Sequence, residues 1–183
     1  MYKTVVFDLD GTLLNTLTDL ADAGNRLCRK YGWPTHERQA YRYFVGNGIP
    51  KLVERLAPAD QRTPAVLEAA LADFKRDYGQ HLRDTTAPYP GIPEMLAKLK
   101  ANGVQLAVFS NKADALAKEV VKDYFGTQYF TIVRGQMTGV APKPAAEGTN
   151  ALLQALHADP ASTLYVGDSN VDVETAHNAN LPC

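Results

Sequence analysis

Thr4-Val5-Val6-Phe7-Asp8-Leu9-Asp10-Gly11-Thr12 is the stretch whose reading decides the fold. Four consecutive apolar or β-branched residues read as a strand buried on both faces, the habit of a parallel sheet. The run ends in two carboxylates and a glycine turn, at the carboxyl end of the strand, where open parallel sheets bind their ligands. Side chains two apart on extended backbone fall on one side, so Asp8 and Asp10 are expected to face one crevice. Two like charges so close repel unless something positive joins them, and carboxylates with backbone oxygens are the hard ligands that Mg²⁺ prefers. A plain turn uses the same residue types for conformational reasons, so the pair gains meaning only from what recurs later.

Outward from this strand, Leu17, Leu20, Ala21, Leu27, Cys28 and Tyr31 fall at helical spacing before Gly32-Trp33-Pro34. Further helices are predicted over 37–44, 50–56 and 64–82, the last with Leu67, Leu71, Phe74, Tyr78 and Leu82 on one stripe. No strand signal interrupts them, which predicts a helical bundle inserted after the first strand, with linkers near Asn15-Thr16 and over 83–88. From Tyr89-Pro90-Gly91 the rhythm becomes alternating helix and strand. Helices are expected over 92–101, 113–124 and 145–156, and strands over 105–109, 130–133 and 163–166. That alternation marks a parallel sheet with crossover helices.

Three more polar clusters fall at strand ends or in the loops after them. In Val108-Phe109-Ser110-Asn111-Lys112, the Ser110 hydroxyl and neighbouring backbone donors suit the oxygens of a transferring phosphoryl group, or else Ser110 caps the next helix. Lys143, in Ala141-Pro142-Lys143-Pro144, is a point charge on a stiffened loop, aimed at a phosphate or an acidic cluster, unless it is simply solvated. In Gly167-Asp168-Ser169-Asn170-Val171-Asp172, Asp168 is placed to join Asp8 and Asp10, with Asp172 one helical turn further on. An Asx turn is the alternative there. Within the helical insert, Phe44-Val45-Gly46-Asn47-Gly48-Ile49-Pro50-Lys51 sets two glycines before a helix N-terminus, an end that attracts carboxylate or phosphate. Lys51 and Arg55 either reinforce that end or form a solvated face.

At 183 residues, with 45% hydrophobic and 21% charged residues, the composition suits a soluble core domain plus a smaller appended one. The net charge of −1 leaves no global field for nucleic acid or an anionic membrane, so binding of a phosphate must be local. No targeting segment precedes the first strand, and a cytoplasmic location is expected. Cys28 and Cys183 form no metal or disulfide framework, and Cys28 reads as core.

The ordered set of Asp8 to Thr12, Ser110, Lys143 and Gly167 to Asp172 resembles the four motifs of the haloacid dehalogenase superfamily, and within it the phosphoglycolate phosphatase-like branch. The resemblance implies an α/β fold with a Rossmann-like three-layer core and parallel sheet over 1–15 and 84–183. A small helical cap of the C1 type over 16–83 is implied with it. The strand that follows the Asp168 cluster in relatives is absent here, which implies an exposed edge at 163–166. Asp8 is implied to be the nucleophile and Asp10 the acid and base. Mg²⁺ is implied on Asp8, the Asp10 carbonyl and Asp168, the phosphoryl oxygens on Ser110, the Asn111 main chain and Lys143, with Thr12 and Asp172 behind them. Gly46, Asn47, Gly48 and Lys51 match the substrate loop of the cap. An aspartate at position 10 favours a phosphate ester or anhydride. The expected reaction is hydrolysis of a small phosphorylated metabolite, 2-phosphoglycolate first, by a monomer or homodimer without nucleic-acid or membrane partners. The alternatives are a pyrophosphatase, a sugar-phosphate phosphatase or mutase of the same branch, and a truncated, weakly active phosphate-binding protein.

Overall fold

Six strands follow one another along the chain: β1 (Thr4–Phe7), β2 (Leu14–Asn15), β3 (Ala87–Pro88), β4 (Gln105–Ala113), β5 (Phe130–Gln136) and β6 (Thr163–Val166). In the computed structural model, which describes residues 1–183, they form a four-stranded sheet of order β5-β4-β1-β6 and a two-stranded sheet of β2 and β3. β1 is buried at every position and pairs in parallel with β4 on one side and β6 on the other, as an uninterrupted apolar run requires.

Residues 1–14 and 88–183 make one compact unit. Its helices are α5 (Ile92–Ala101), α6 (Asp114–Phe125), α7 (Ala146–Leu156) and α8 (Asn170–Asn178). One face of the sheet, with Val6, Ala107, Phe109 and Tyr165, closes on Leu152, Leu153 and Leu156 of α7 and on Ala176 of α8. Each buried leucine there stabilises the fold by roughly 2 kcal/mol. Alternation turns Leu106 and Val108 to the other face, and α5 and α6 pack against β4. The unit is an α/β fold with a parallel central sheet.

Two strands run further than the sequence predicts. β4 continues through Ser110, Asn111 and Lys112 to Ala113, which pairs with Gln136 at the end of β5. Ser110 is therefore in a strand and does not cap a helix; Ala113 holds the cap position of α6, without a side-chain bond. β6 ends the sheet, but its outer side is not bare, since the Tyr165 N–H donates to the Pro182 carbonyl at 2.9 Å.

Residues 15–87 make the second compact unit. It contains α1 (Leu17–Tyr31), α2 (Tyr41–Phe44), α3 (Ile49–Leu56) and α4 (Pro64–His81). The helix predicted over 37–44 is shorter, a 3₁₀ turn at Arg38–Ala40 followed by the single turn of α2. Tertiary bonds override the local pattern: Asn25 exchanges two hydrogen bonds with the His36 backbone, both 2.9 Å, and accepts a third from the Tyr41 hydroxyl at 3.0 Å. α4 begins with Thr63 accepting from the Val66 N–H, and buries Phe74 and Tyr78, while Leu67 and Leu71 stay half-buried. Cys28 is fully buried in α1, and burial pushes its thiol up to about 11, which leaves it inert core. No helix of either unit is long and apolar enough to cross a membrane.

The unit is closed on itself by Asp19. Its carboxylate, 2% exposed, accepts hydrogen bonds from the backbone N–H groups of Thr85 and Thr86, both at 2.9 Å, and from both threonine hydroxyls. Burial alone would raise its pKa, but these donors outweigh burial and hold it below the ordinary carboxyl value. The bonds stabilise the fold above the unfolded pKa, and that contribution is lost as the pH falls through the depressed value. Asp19→Asn turns an amide N–H₂ toward donors that need an acceptor, so its urea unfolding midpoint is expected to correspond to a loss of about 2–3 kcal/mol at pH 7. An unchanged midpoint would show that the threonine bonds add nothing to stability.

Candidate active site

Parallel pairing in register brings the site together. Phe7 lies opposite Val108 on one side and Val166 on the other, so Asp8 and Gly167 leave the sheet side by side while β4 runs on past them to Ala113. The Asp8 N–H donates to the Val166 carbonyl at 2.8 Å, one residue beyond β1. The chain then turns: the Leu13 and Leu14 N–H groups both return to the Leu9 carbonyl at 3.0 Å. Gly11, at φ 93°, occupies backbone that other residues adopt only with strain, and a Cβ there would overlap the Asp168 carboxylate. The glycine is what lets the first turn and the β6 loop meet.

Because of that turn, Asp8 and Asp10 do not share a partner. Lys143, 3% exposed, places its Nζ 2.7 Å from Asp8 Oδ1, 2.7 Å from Asp172 Oδ1 and 3.2 Å from the Tyr165 hydroxyl. Asp10 is instead gripped by Lys112, whose Nζ lies 3.0 and 3.3 Å from its two carboxylate oxygens. The positive charge that the aspartate pair demands is thus met by two buried lysines. Lys143 is neither solvated nor loosely aimed; its position is also fixed through the backbone, since its N–H donates to Asn111 Oδ1 at 2.8 Å and its carbonyl accepts from Asn111 Nδ2 at 3.3 Å.

Asp172 has little left to offer a ligand. Its Oδ1 takes Lys143 and Tyr165, and its Oδ2 takes the Ser169 N–H at 3.1 Å and the Ser169 hydroxyl at 2.6 Å, which caps α8. Asp168 is exposed, and one oxygen accepts from the Thr12 hydroxyl at 2.9 Å. The acids whose oxygens approach one another within 4.8 Å are Asp8, Asp168 and Asp172; the Asp10 carboxylate is not among them. Of these, Asp8 and the solvent-open Asp168 offer the carboxylate oxygens that suit a hard divalent cation, while Asp172 is committed to Lys143 and Ser169.

The charges follow the packing. Burial pushes the Asp8 carboxyl up to about 6 against the pull of Lys143. Burial also opposes ionisation of Asp172, but Lys143 and Ser169 outweigh it and hold that carboxyl low. The Lys143 ammonium would be lowered by burial, yet the Asp8 carboxylate, with Tyr165 and Asp172, raises it above the usual lysine range. Burial raises the Asp168 carboxyl, with Thr12 pulling the other way.

Ser110, 3% exposed, accepts the Lys112 N–H at 3.2 Å, so its hydroxyl shapes the end of β4. The remaining predicted residues lie in the helical unit. There Arg55 donates to the Phe44 carbonyl at 2.8 Å and to Asn47 Oδ1 at 2.9 Å, bracing the loop that holds Gly46, Asn47 and Gly48. Lys51 is exposed and pairs with Glu54 at 2.6 Å, one turn along α3. Lys112 and Tyr165 are contacts that sequence reasoning did not single out. A lysine ending an apolar strand was a signal for the first, whereas Tyr165 looked like any other strand aromatic.

The chain is similar to known proteins along nearly its whole length. The chain is 32% identical over 183 residues to the phosphoglycolate phosphatase of Thiobacillus denitrificans, covering 98% of this chain and 81% of that one. It is 33% identical over 180 residues to the phosphoglycolate phosphatase of Neisseria meningitidis, covering 97% and 77%. The crystal structure of a Lactobacillus delbrueckii subsp. bulgaricus protein, provisionally named phosphoglycolate phosphatase, superposes with a TM-score of 0.92 at 28% identity, covering 99% of this chain and 84% of that one. The sequence model of the haloacid dehalogenase-like hydrolase family matches residues 5–183, and the chain belongs to that family.

Proposed function

We propose that this protein is a Mg²⁺-dependent phosphatase that hydrolyses a small phosphate monoester, 2-phosphoglycolate first, through a phosphorylated Asp8. The observation that carries the reading is Asp8 itself: a nearly buried carboxylate at the end of the central strand, one oxygen held by Lys143 and two further acids within 4.8 Å. An Asp8 oxygen attacks phosphorus in line, the ester P–O bond breaks, and the Asp10 proton passes to the departing oxygen. Water then attacks phosphorus, its proton returns to Asp10, and the aspartyl P–O bond breaks to free Asp8 and inorganic phosphate. Lys143, Ser110 and the Asn111 main chain hold the phosphoryl oxygens, while Asp172 keeps Lys143 in place and Thr12 steadies Asp168. Asp8, the Asp10 carbonyl and Asp168 would hold the cation, which supplies positive charge beside those oxygens. Residues 16–83 serve as the cap, with Gly46, Asn47, Gly48 and Lys51 meeting the substrate's far end. Relatives named phosphoglycolate phosphatase along nearly the whole chain support the choice of substrate.

The test is phosphate release across a panel of small phosphates, with and without Mg²⁺. Turnover of 2-phosphoglycolate is expected to fall by about 100-fold or more after removal of divalent cations and to return with Mg²⁺. Turnover that survives chelation removes the metal assignment, and an isomerised sugar phosphate without net phosphate release replaces the phosphatase reading with a mutase.

A further inference from the structure

The first strand's two aspartates are fixed by different lysines, and only one of them, Lys143, is part of the machinery proposed above. Lys112 reaches Asp10 from a rigid place. It belongs to β4, and its own N–H is tied to Ser110 Oγ at 3.2 Å. β5 runs so close beside it that a Cβ on Gly135 would overlap the Lys112 carbonyl and the Asp114 backbone. Asp114, in turn, accepts the Gly135 N–H at 3.0 Å. The Lys112 side chain is 3% exposed and the Asp10 side chain 16%. A lysine so deeply buried, on a strand that cannot shift, does not sweep the solvent for ligands. Both Asp10 oxygens lie within 3.3 Å of its ammonium, so the carboxyl's direction is set by Lys112 rather than by Asp10's own turn.

We infer that Lys112 is a positioning residue for Asp10: its ammonium, set against both carboxylate oxygens from a rigid strand, fixes the direction in which the carboxyl is held. This rests on the phosphatase reading, with Asp10 as proton donor. Its consequence is selective. A leaving group that needs a proton depends on Lys112, whereas a leaving group stable as an anion does not. A lysine that held substrate or merely supported the fold would make no such distinction.

The experiment compares kcat/KM, which reports phosphoryl transfer to Asp8, for 2-phosphoglycolate and for p-nitrophenyl phosphate. The first expels an alkoxide and the second a weakly basic phenolate. Lys112→Gln is expected to lose about 100-fold in kcat/KM on the alkyl ester and less than about 5-fold on the aryl ester. Lys112→Arg, which keeps a charged donor, is expected to recover the alkyl rate to within about 10-fold of the parent. Because Lys112→Gln leaves a partly buried carboxylate unpaired and so endangers folding, the double variant Asp10→Asn/Lys112→Gln is measured beside Asp10→Asn. The two are expected to hydrolyse 2-phosphoglycolate at rates within about 3-fold of each other, since the lysine acts only through the aspartate. Equal losses on both esters, a raised KM at unchanged kcat, or a double variant about 10-fold or more slower than Asp10→Asn overturns the inference alone. Failure of the unmodified protein to release phosphate from either ester overturns the phosphatase reading and this inference with it.

Discussion

Asp8→Asn is expected to release phosphate from 2-phosphoglycolate ~10⁴-fold more slowly than the parent, or not measurably, while folding at least as well. The amide has the shape of the carboxylate but no oxygen able to form the bond to phosphorus. Folding should survive because Asp8 is under strain as an anion: burial and the neighbouring Asp172 charge both work against its ionisation. Removing that charge leaves Lys143 still paired with Asp172 at 2.7 Å. Phosphate release, thermal midpoint and acid-quench trapping of phosphorylated protein together make the check. A variant with activity within about 10-fold of the parent removes Asp8 as the nucleophile.

The second large effect belongs to Lys143→Met, which is expected to damage stability and turnover together. The ammonium lies between two carboxylates, each 2.7 Å away, and its side chain is 2% exposed. Breaking a buried pair by deleting one partner typically costs about 3–5 kcal/mol, because a charge is left without compensation. Here two carboxylates lose their partner. Among stabilised molecules that still fold, loss of the charge facing the phosphoryl oxygens is expected to lower kcat by about 100- to 1,000-fold. Measuring denaturant midpoints beside kcat separates the two effects. A variant as stable as the parent would show that Asp8 and Asp172 do not depend on the ammonium for their place in the fold.

What the sequence made legible divides along a physical line. β1 and β6 begin and end where runs of apolar and β-branched residues begin and end, β1 buried at every position and β6 at Thr163 and Tyr165. β4 was legible only to Phe109. Its last residues, Ser110 to Ala113, are polar or small and read as a loop; only the close approach of β5 at Gly135 and the pairing of Ala113 with Gln136 keep them extended. The helix predicted over 37–44 forms as a 3₁₀ turn over Arg38–Ala40 and an α turn over Tyr41–Phe44, with Asn25, eleven positions before His36, tying down its approach. The acids and Lys143 could be named from residue type and position relative to strand ends. Their partnerships could not, because Lys112 meets Asp10 across 102 positions and Lys143 meets Asp8 across 135. Local pattern tells where a charged group leaves the sheet, and only the assembled register tells which opposite charge awaits it.

The short ribbon of β2 and β3 carries a different lesson. The chain leaves the catalytic sheet through one of these strands and returns through the other, and the two are hydrogen-bonded neighbours. Seventy-odd residues therefore depart and come back about 5 Å apart, the spacing of adjacent strands. To the sheet, the insertion is a loop of nearly zero span: it sets no strand order, shifts no register and places no demand on how many helices it holds. Helices can thus be exchanged, added or removed in the insertion without redrawing the strands at whose ends Asp8, Lys112 and Asp168 stand.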